Sequence, residues 1–228
     1  MRTKLFFIIS LLLPLTMLAQ KDVTTFLGIP VDGYKSEMRK KLISKGFTPK
    51  SSDGKEYFEG EFNGTDVQLV IATNNNKVFR IMLSDVNNLD EANIRIRFNN
   101  LISQFKRNKR YFSLSASIIP DNEDISYEMN VNNKIYEAAF YQKPDTTKID
   151  FDALMLQAKE ELQDKYTERQ LNNPTKEIQA EITALAIIKE YELATNKLVW
   201  FRINKFFGKY YIVMYYDNEY NHADGEDL

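Results

Sequence analysis

The chain has 228 residues, no cysteine and one histidine, and its 30 basic and 32 acidic side chains leave a formal charge of −2. A slightly acidic balance gives nucleic acid no electrostatic footing. The lack of thiols excludes disulfide staples, thiolate metal sites and cysteine nucleophiles, and a chain of this length buries about 70% of its unfolded surface by packing alone.

Met1-Arg-Thr-Lys4 is basic, Leu5 to Leu13 is apolar apart from Ser10, and Leu18-Ala19-Gln20 precedes the charged Lys21-Asp22. This is the order of a secretory leader cut after Ala19. A retained anchor is the weaker reading. As a helix, residues 5–19 span about 22 Å against a hydrocarbon core of about 30 Å, and Pro14 interrupts them. The expected mature chain is residues 20–228, one exported domain without a transmembrane segment; residues 143–150 mark where two halves would join.

Tyr34, Met38 and Leu42 recur every fourth residue ahead of Gly46, which predicts a helix with a glycine cap. Residues 57–62 and 65–72 alternate around Asn63-Gly64, the signature of a hairpin with a type I′ turn. After Asn74-Asn-Asn76, residues 77–83 predict a third strand. Ile94, Phe98, Leu101, Ile102 and Phe105 form the apolar stripe of a second helix. Residues 125–131 and 134–141 read as a second hairpin around Asn132-Asn133. Asp152 to Leu171 predicts a third helix, and Asn173-Pro174 the cap and first residue of a fourth with Ile178, Ile182 and Leu185 on its apolar face. Residues 198–207 and 210–216 close the chain as a hairpin at Gly208.

Hairpins interleaved with helices predict the α+β class, an antiparallel sheet with amphipathic helices on one face. Asn76-Lys77, Asn133-Lys134 and Asn196-Lys197 each precede an apolar run. They are either the trace of a helix-plus-hairpin repeat or simply favourable turn chemistry, and four shared residues favour the latter.

Little in the chain looks like chemistry. Asp217 to Leu228 gathers five carboxylates and His222. A calcium loop started at Asp217 would meet His222 where glycine is needed and Leu228 where the bidentate glutamate belongs, so no metal site is expected there. There is no nucleophile elbow, Walker loop, dinucleotide glycine fingerprint or H-E-x-x-H, and no catalytic residue or cofactor is assigned. Glu59 and Glu61 share a strand face and would suit carboxylate hydrolysis, although such pairs are ordinarily solvated. Lys106 to Arg110 complements the negative end of the second helix.

The last hairpin carries the candidate site. A type II′ turn with Gly208 as its first central residue would pair Phe207 with Tyr210. Alternation then sends Phe201, Ile203, Phe207, Tyr210, Ile212, Met214 and Tyr216 to the core. Trp200, Arg202, Tyr211 and Tyr215 share the opposite face, with Arg202 across from Tyr215 and Trp200 across from Asp217. Rings beside a guanidinium suit a sugar or a protein partner. A covering helix would make the same strip ordinary core.

Phe26-Leu-Gly-Ile-Pro-Val-Asp-Gly33, Ile94-Arg-Ile-Arg-Phe-Asn-Asn-Leu101, Glu123-Asp-Ile-Ser-Tyr-Glu-Met129 and Tyr210-Tyr-Ile-Val-Met-Tyr-Tyr-Asp-Asn218 resemble segments of exported proteins of Bacteroidales-type bacteria to which no activity is attached. The resemblance implies a Gram-negative envelope location and transfers no catalytic residues. In order of elements alone, the chain is similar to small periplasmic α+β modules of the β-lactamase-inhibitor-like kind. These readings lead to an exported, non-enzymatic binding or protein-interaction module, periplasmic or secreted, with a protein or glycan partner; the alternative is a carboxylate-based envelope or glycan hydrolase.

Overall fold

The computed structural model describes residues 22–147 and 149–222; the predicted leader and residues 223–228 lie outside the described residues. In chain order, β1 (Thr25–Phe26) and β2 (Ile29–Pro30) pair with each other, and α1 (Lys35–Ser44) follows. Then come β3 (Thr48–Ser52), β4 (Lys55–Phe62), β5 (Thr65–Asn74), β6 (Lys77–Asp85), α2 (Glu91–Arg107), β7 (Tyr111–Phe112), α3 (Ile125–Val131) and β8 (Glu137–Gln142). The chain continues through α4 (Phe151–Glu161), α5 (Glu168–Asn172), α6 (Lys176–Thr195), β9 (Leu198–Phe206) and β10 (Lys209–Asp217). β3 to β10 form one antiparallel sheet of eight strands in the order β3-β4-β5-β6-β10-β9-β8-β7. The fold is α+β, as the alternation of hairpins and helices predicts.

Tight turns set the register. Asp53-Gly54, Asn63-Gly64, Asn75-Asn76 and Phe207-Gly208 all have positive φ at both residues, the backbone that matches the twist of a two-residue hairpin. The last of these corrects the predicted turn. Phe207 and Gly208 are both central, so Phe206 faces Lys209. Pairing is displaced by two residues relative to the expected register, and a shift of two keeps each side chain on its face. Phe201, Ile203, Tyr210, Ile212, Met214 and Tyr216 are buried as expected, whereas Phe207 is 91% exposed at the turn.

α1 and α2 cover one face of the sheet. α1 lies over β5 and β6, and α2 over β10 and β9. Met38 and Leu42 of α1 and Ile94, Phe98, Leu101, Ile102 and Phe105 of α2 join the strand side chains in a single apolar core. α1 ends as its glycine predicts: Gly46 has φ +95°, its N–H donates to Ile43 O, and Phe47 N–H donates to Leu42 O, which satisfies two otherwise orphaned carbonyls. Phe47 then packs on Gly60, where a Cβ would lie 2.7 Å from its ring.

Three predicted elements differ. Residues 125–131 are the helix α3, because Asp124 accepts from Tyr127 N–H (2.7 Å) and the Glu91 carboxylate accepts from Ile125 N–H (2.9 Å), which caps the first turn from two sides. The third predicted helix is broken into α4, a 3₁₀ turn at Leu162–Asp164 and α5, which restarts at a capping box on Thr167 and Gln170. α6 is capped by Thr175, accepting from Ile178 N–H, and not by Asn173. α4, α5 and α6 bury a smaller core of their own around Leu154, Ala158, Leu171 and Ile182. The Asn-Lys pairs occupy a hairpin turn, a helix exit and a helix C-cap. Three different local roles support turn chemistry over a repeat.

Candidate functional site

Alternation leaves the second face of the sheet free of α1 and α2. Its central strip comprises Trp200, Arg202 and Asn204 of β9, Tyr211 and Tyr215 of β10, and Arg80, Met82 and Ser84 of β6. Trp200, Arg202, Asn204 and Tyr211 are partly exposed and Phe206 is exposed, so no described helix lies over them, whereas Val213 and Tyr215 between them are buried. α6 reaches this side at one end of the sheet, where Tyr191 meets the ring of Phe112 at 6.1 Å.

The four predicted site residues fall on this face. Trp200 and Tyr215, direct partners in the register, stack with ring centroids 4.0 Å apart and planes 15° from parallel. Tyr211 lies across from Asn204, and Arg202 across from Val213 and Glu137. Arg202 does not face Tyr215, because of the displaced register. Its Nε is buried without a hydrogen-bond partner among the described residues.

Asp217 and Arg80, neither of them a predicted site residue, hold the site in place. Asp217, 1% exposed, accepts from Arg80 Nε (2.5 Å) and Arg80 Nη2 (2.8 Å), and from the indole Nε1–H of Trp200 (2.8 Å). The Arg80 guanidinium lies 5.0 Å from the Tyr215 ring centroid and 5.8 Å from that of Trp200, close enough for cation–π attraction. Its hydrogen bonds to Asp217 raise its pKa further above the ordinary value. One carboxylate thus fixes a guanidinium and an indole at once. The expected pairing of Trp200 with Asp217 is not the register, yet the indole reaches that carboxylate diagonally. Arg80 sits on a predicted strand, but strand order had to be known before it could be set beside β10.

The other candidates have structural partners. Asn218 is buried and donates to Val31 O (2.7 Å), Asn221 donates to Asp32 Oδ1 (2.7 Å) and Val78 O (2.8 Å), and the His222 ring packs on Phe79 at 4.6 Å. The described part of the acidic tail therefore ties β10 to the β1–β2 segment. Among the described residues, no three His, Asp or Glu side chains gather as metal ligands. Glu59 is 3.8 Å from Lys50, and Glu61 sits across from Asp66 on an exposed strand. In the basic run after α2, Arg110 donates to Thr25 Oγ1 (2.9 Å).

Comparison of the chain with protein-family models, with curated proteins and with solved structures finds no match.

Proposed function

We propose that this protein is a non-enzymatic binding module of the bacterial envelope that receives its partner on the open sheet face. The observation that carries the reading is the Trp200–Tyr215 stack, locked by Asp217 and Arg80, in which Tyr215 is buried and backs the partly exposed ring of Trp200. A pre-ordered aromatic surface loses little conformational freedom on contact, and Trp, Tyr and Arg are the side chains on which binding energy concentrates. Arg202 and Tyr211 extend the strip with hydrogen-bonding tips. The basic-then-apolar leader supports export. Glu59, engaged by Lys50 on a solvated strand, favours binding over carboxylate hydrolysis.

The test presents two probe sets to the purified protein: soluble peptidoglycan fragments and oligosaccharides, and a displayed library of random peptides. The reading expects at least one probe to bind and Trp200→Ala or Tyr215→Ala to weaken it by tenfold or more, the loss of about 1.4 kcal/mol. Binding untouched by either substitution, or turnover of a glycan lost on replacing Glu59, would overturn it.

A further inference from the structure

β8 is longer than the strand beside it. It runs from Glu137 to Gln142, whereas β7 supplies only Tyr111 and Phe112, opposite Gln142 and Tyr141. In an antiparallel ladder, alternate residues direct their backbone groups to opposite neighbours. Gln142 N–H donates to Lys197 O (3.0 Å) and Ile203 N–H donates to Tyr136 O (2.9 Å), so the even-numbered residues of β8 face β9. Lys143 N–H donates to Arg110 O (2.8 Å), so the odd-numbered ones face β7. β7 stops at Phe112, and the chain leaves the ladder at Ser113, whose Oγ accepts from Ala116 N–H (3.0 Å), leaving Leu114 84% exposed while Ser115 still borders the space beside Ala139. The N–H and C=O groups of Glu137 and Ala139 therefore point outward without ladder partners among the described residues.

Each side of this edge has a depression. On the open face, one of about 340 Å³ is lined by Ser115, Ala139, Tyr141, Leu198 and Trp200, with Glu137 at its rim. On the other side, one of about 310 Å³ shares Glu137 and is lined by Ile118, Ile119, Ile135 and Tyr136 together with the charged Glu123 and Lys134. Ile118 and Ile135 are 59% and 63% exposed. Proteins ordinarily blunt such an edge with a charge, a proline or a cover. Here Glu137 places one charge on the edge, yet the outward backbone groups at the strand repeat lie between an apolar recess and a mixed one, and side chains of an extended chain alternate between two faces at that same repeat.

We propose that β8 accepts an extended segment of a partner polypeptide as an added strand continuing the line of β7, with alternate side chains entering the two recesses, an apolar one over Trp200 and a polar or charged one toward Glu123 and Lys134. This deepens the reading of the open face as a binding surface and rests on it. Main chain is the chemistry that supplies donors and acceptors at this spacing, which selects a polypeptide over a glycan.

Ala139→Pro removes an outward N–H and leaves the bonds to β9 intact, because those come from the even-numbered residues. Peptides selected from the random library on the wild-type protein are synthesised and titrated against wild type, Ala139→Pro and Trp200→Ala. Amide exchange is followed with and without the best peptide. The proposal expects Ala139→Pro to weaken binding about tenfold or more. It also expects the amides of Glu137 and Ala139 to exchange freely in the unliganded protein, faster than those of Ala138 and Phe140, and to slow when peptide is added. Should Ala139→Pro fail to fold, Glu137→Pro removes the next outward donor, and the exchange measurement needs no variant.

Peptides that bind Ala139→Pro as they bind wild type, an empty selection, or edge amides already protected in the unliganded protein by a second copy or by this chain itself would overturn the added strand. A glycan that binds and depends on Trp200 but not on Ala139 would overturn the added strand and leave the open-face reading standing. No probe dependent on Trp200 would remove both.

Discussion

Replacing Asp217 with Asn tests whether one carboxylate organises the open face. The wild-type side chain accepts three hydrogen bonds from two residues at 2.5–2.8 Å while almost fully enclosed. An amide of the same shape keeps a single acceptor oxygen and turns an NH₂ group toward donors. Charge-assisted bonds contribute about 1.5–3 kcal/mol each, and breaking a buried ion pair costs about 3–5 kcal/mol. The Arg80 side chain is 26% exposed, so water offsets part of this and about 3 kcal/mol is expected. For a chain of this size that lowers Tm by about 6–12 °C. Trp200 is the only tryptophan, so its emission reports the loosened stack directly. Adding Arg80→Met to Asp217→Asn removes the orphaned cation and should recover about half the loss. The assay is urea unfolding followed by Trp200 fluorescence and by circular dichroism. A loss below about 1 kcal/mol, or no recovery in the double variant, would refute the reasoning.

Phe207 occupies a left-handed turn position with φ 46° and is 91% exposed. Phe207→Asn should therefore stabilise the protein by about 1 kcal/mol, read as a Tm rise of about 2–4 °C. Gly60→Ala would push a methyl into the Phe47 ring and should cost about 1–3 kcal/mol in chemical denaturation, with no change in secondary structure. Glu123 is held below the usual carboxylate range by hydrogen bonds from Lys134 and then from Tyr136. A depressed carboxylate contributes stability above its ordinary pKa of about 4.3 and loses it as pH falls through the folded value. Glu123→Gln should thus melt below wild type at pH 7 and converge with it in acid, as a pH series of thermal melts would show.

What the sequence made legible is local. Asn63-Gly64, the stripe from Ile94 to Phe105 and Gly46 each carry their instruction within a few residues, and each forms as expected. The segment 125–131 alternates like a strand yet forms a helix, because the cap that makes it helical comes partly from Glu91, which is remote in sequence. The strip containing Trp200, Arg202, Tyr211 and Tyr215 was found because a register error of two residues leaves faces unchanged. The identity of each residue's neighbour did not survive that error: Arg202 met Val213, and Tyr215 met Trp200. Arg80 and the unpaired edge of β8 were beyond reach, since both depend on which strands lie side by side. Pairing of β6 with β10 joins residues more than a hundred positions apart, and no local pattern encodes it.

Collisional quenching of Trp200 by acrylamide, measured with and without a saturating ligand from either probe set, addresses the open face most directly. The account predicts that the native protein is quenched readily without ligand and that bound ligand shields the indole. A tryptophan shielded until the protein unfolds, or one whose quenching is unchanged by a ligand that demonstrably binds, would contradict it.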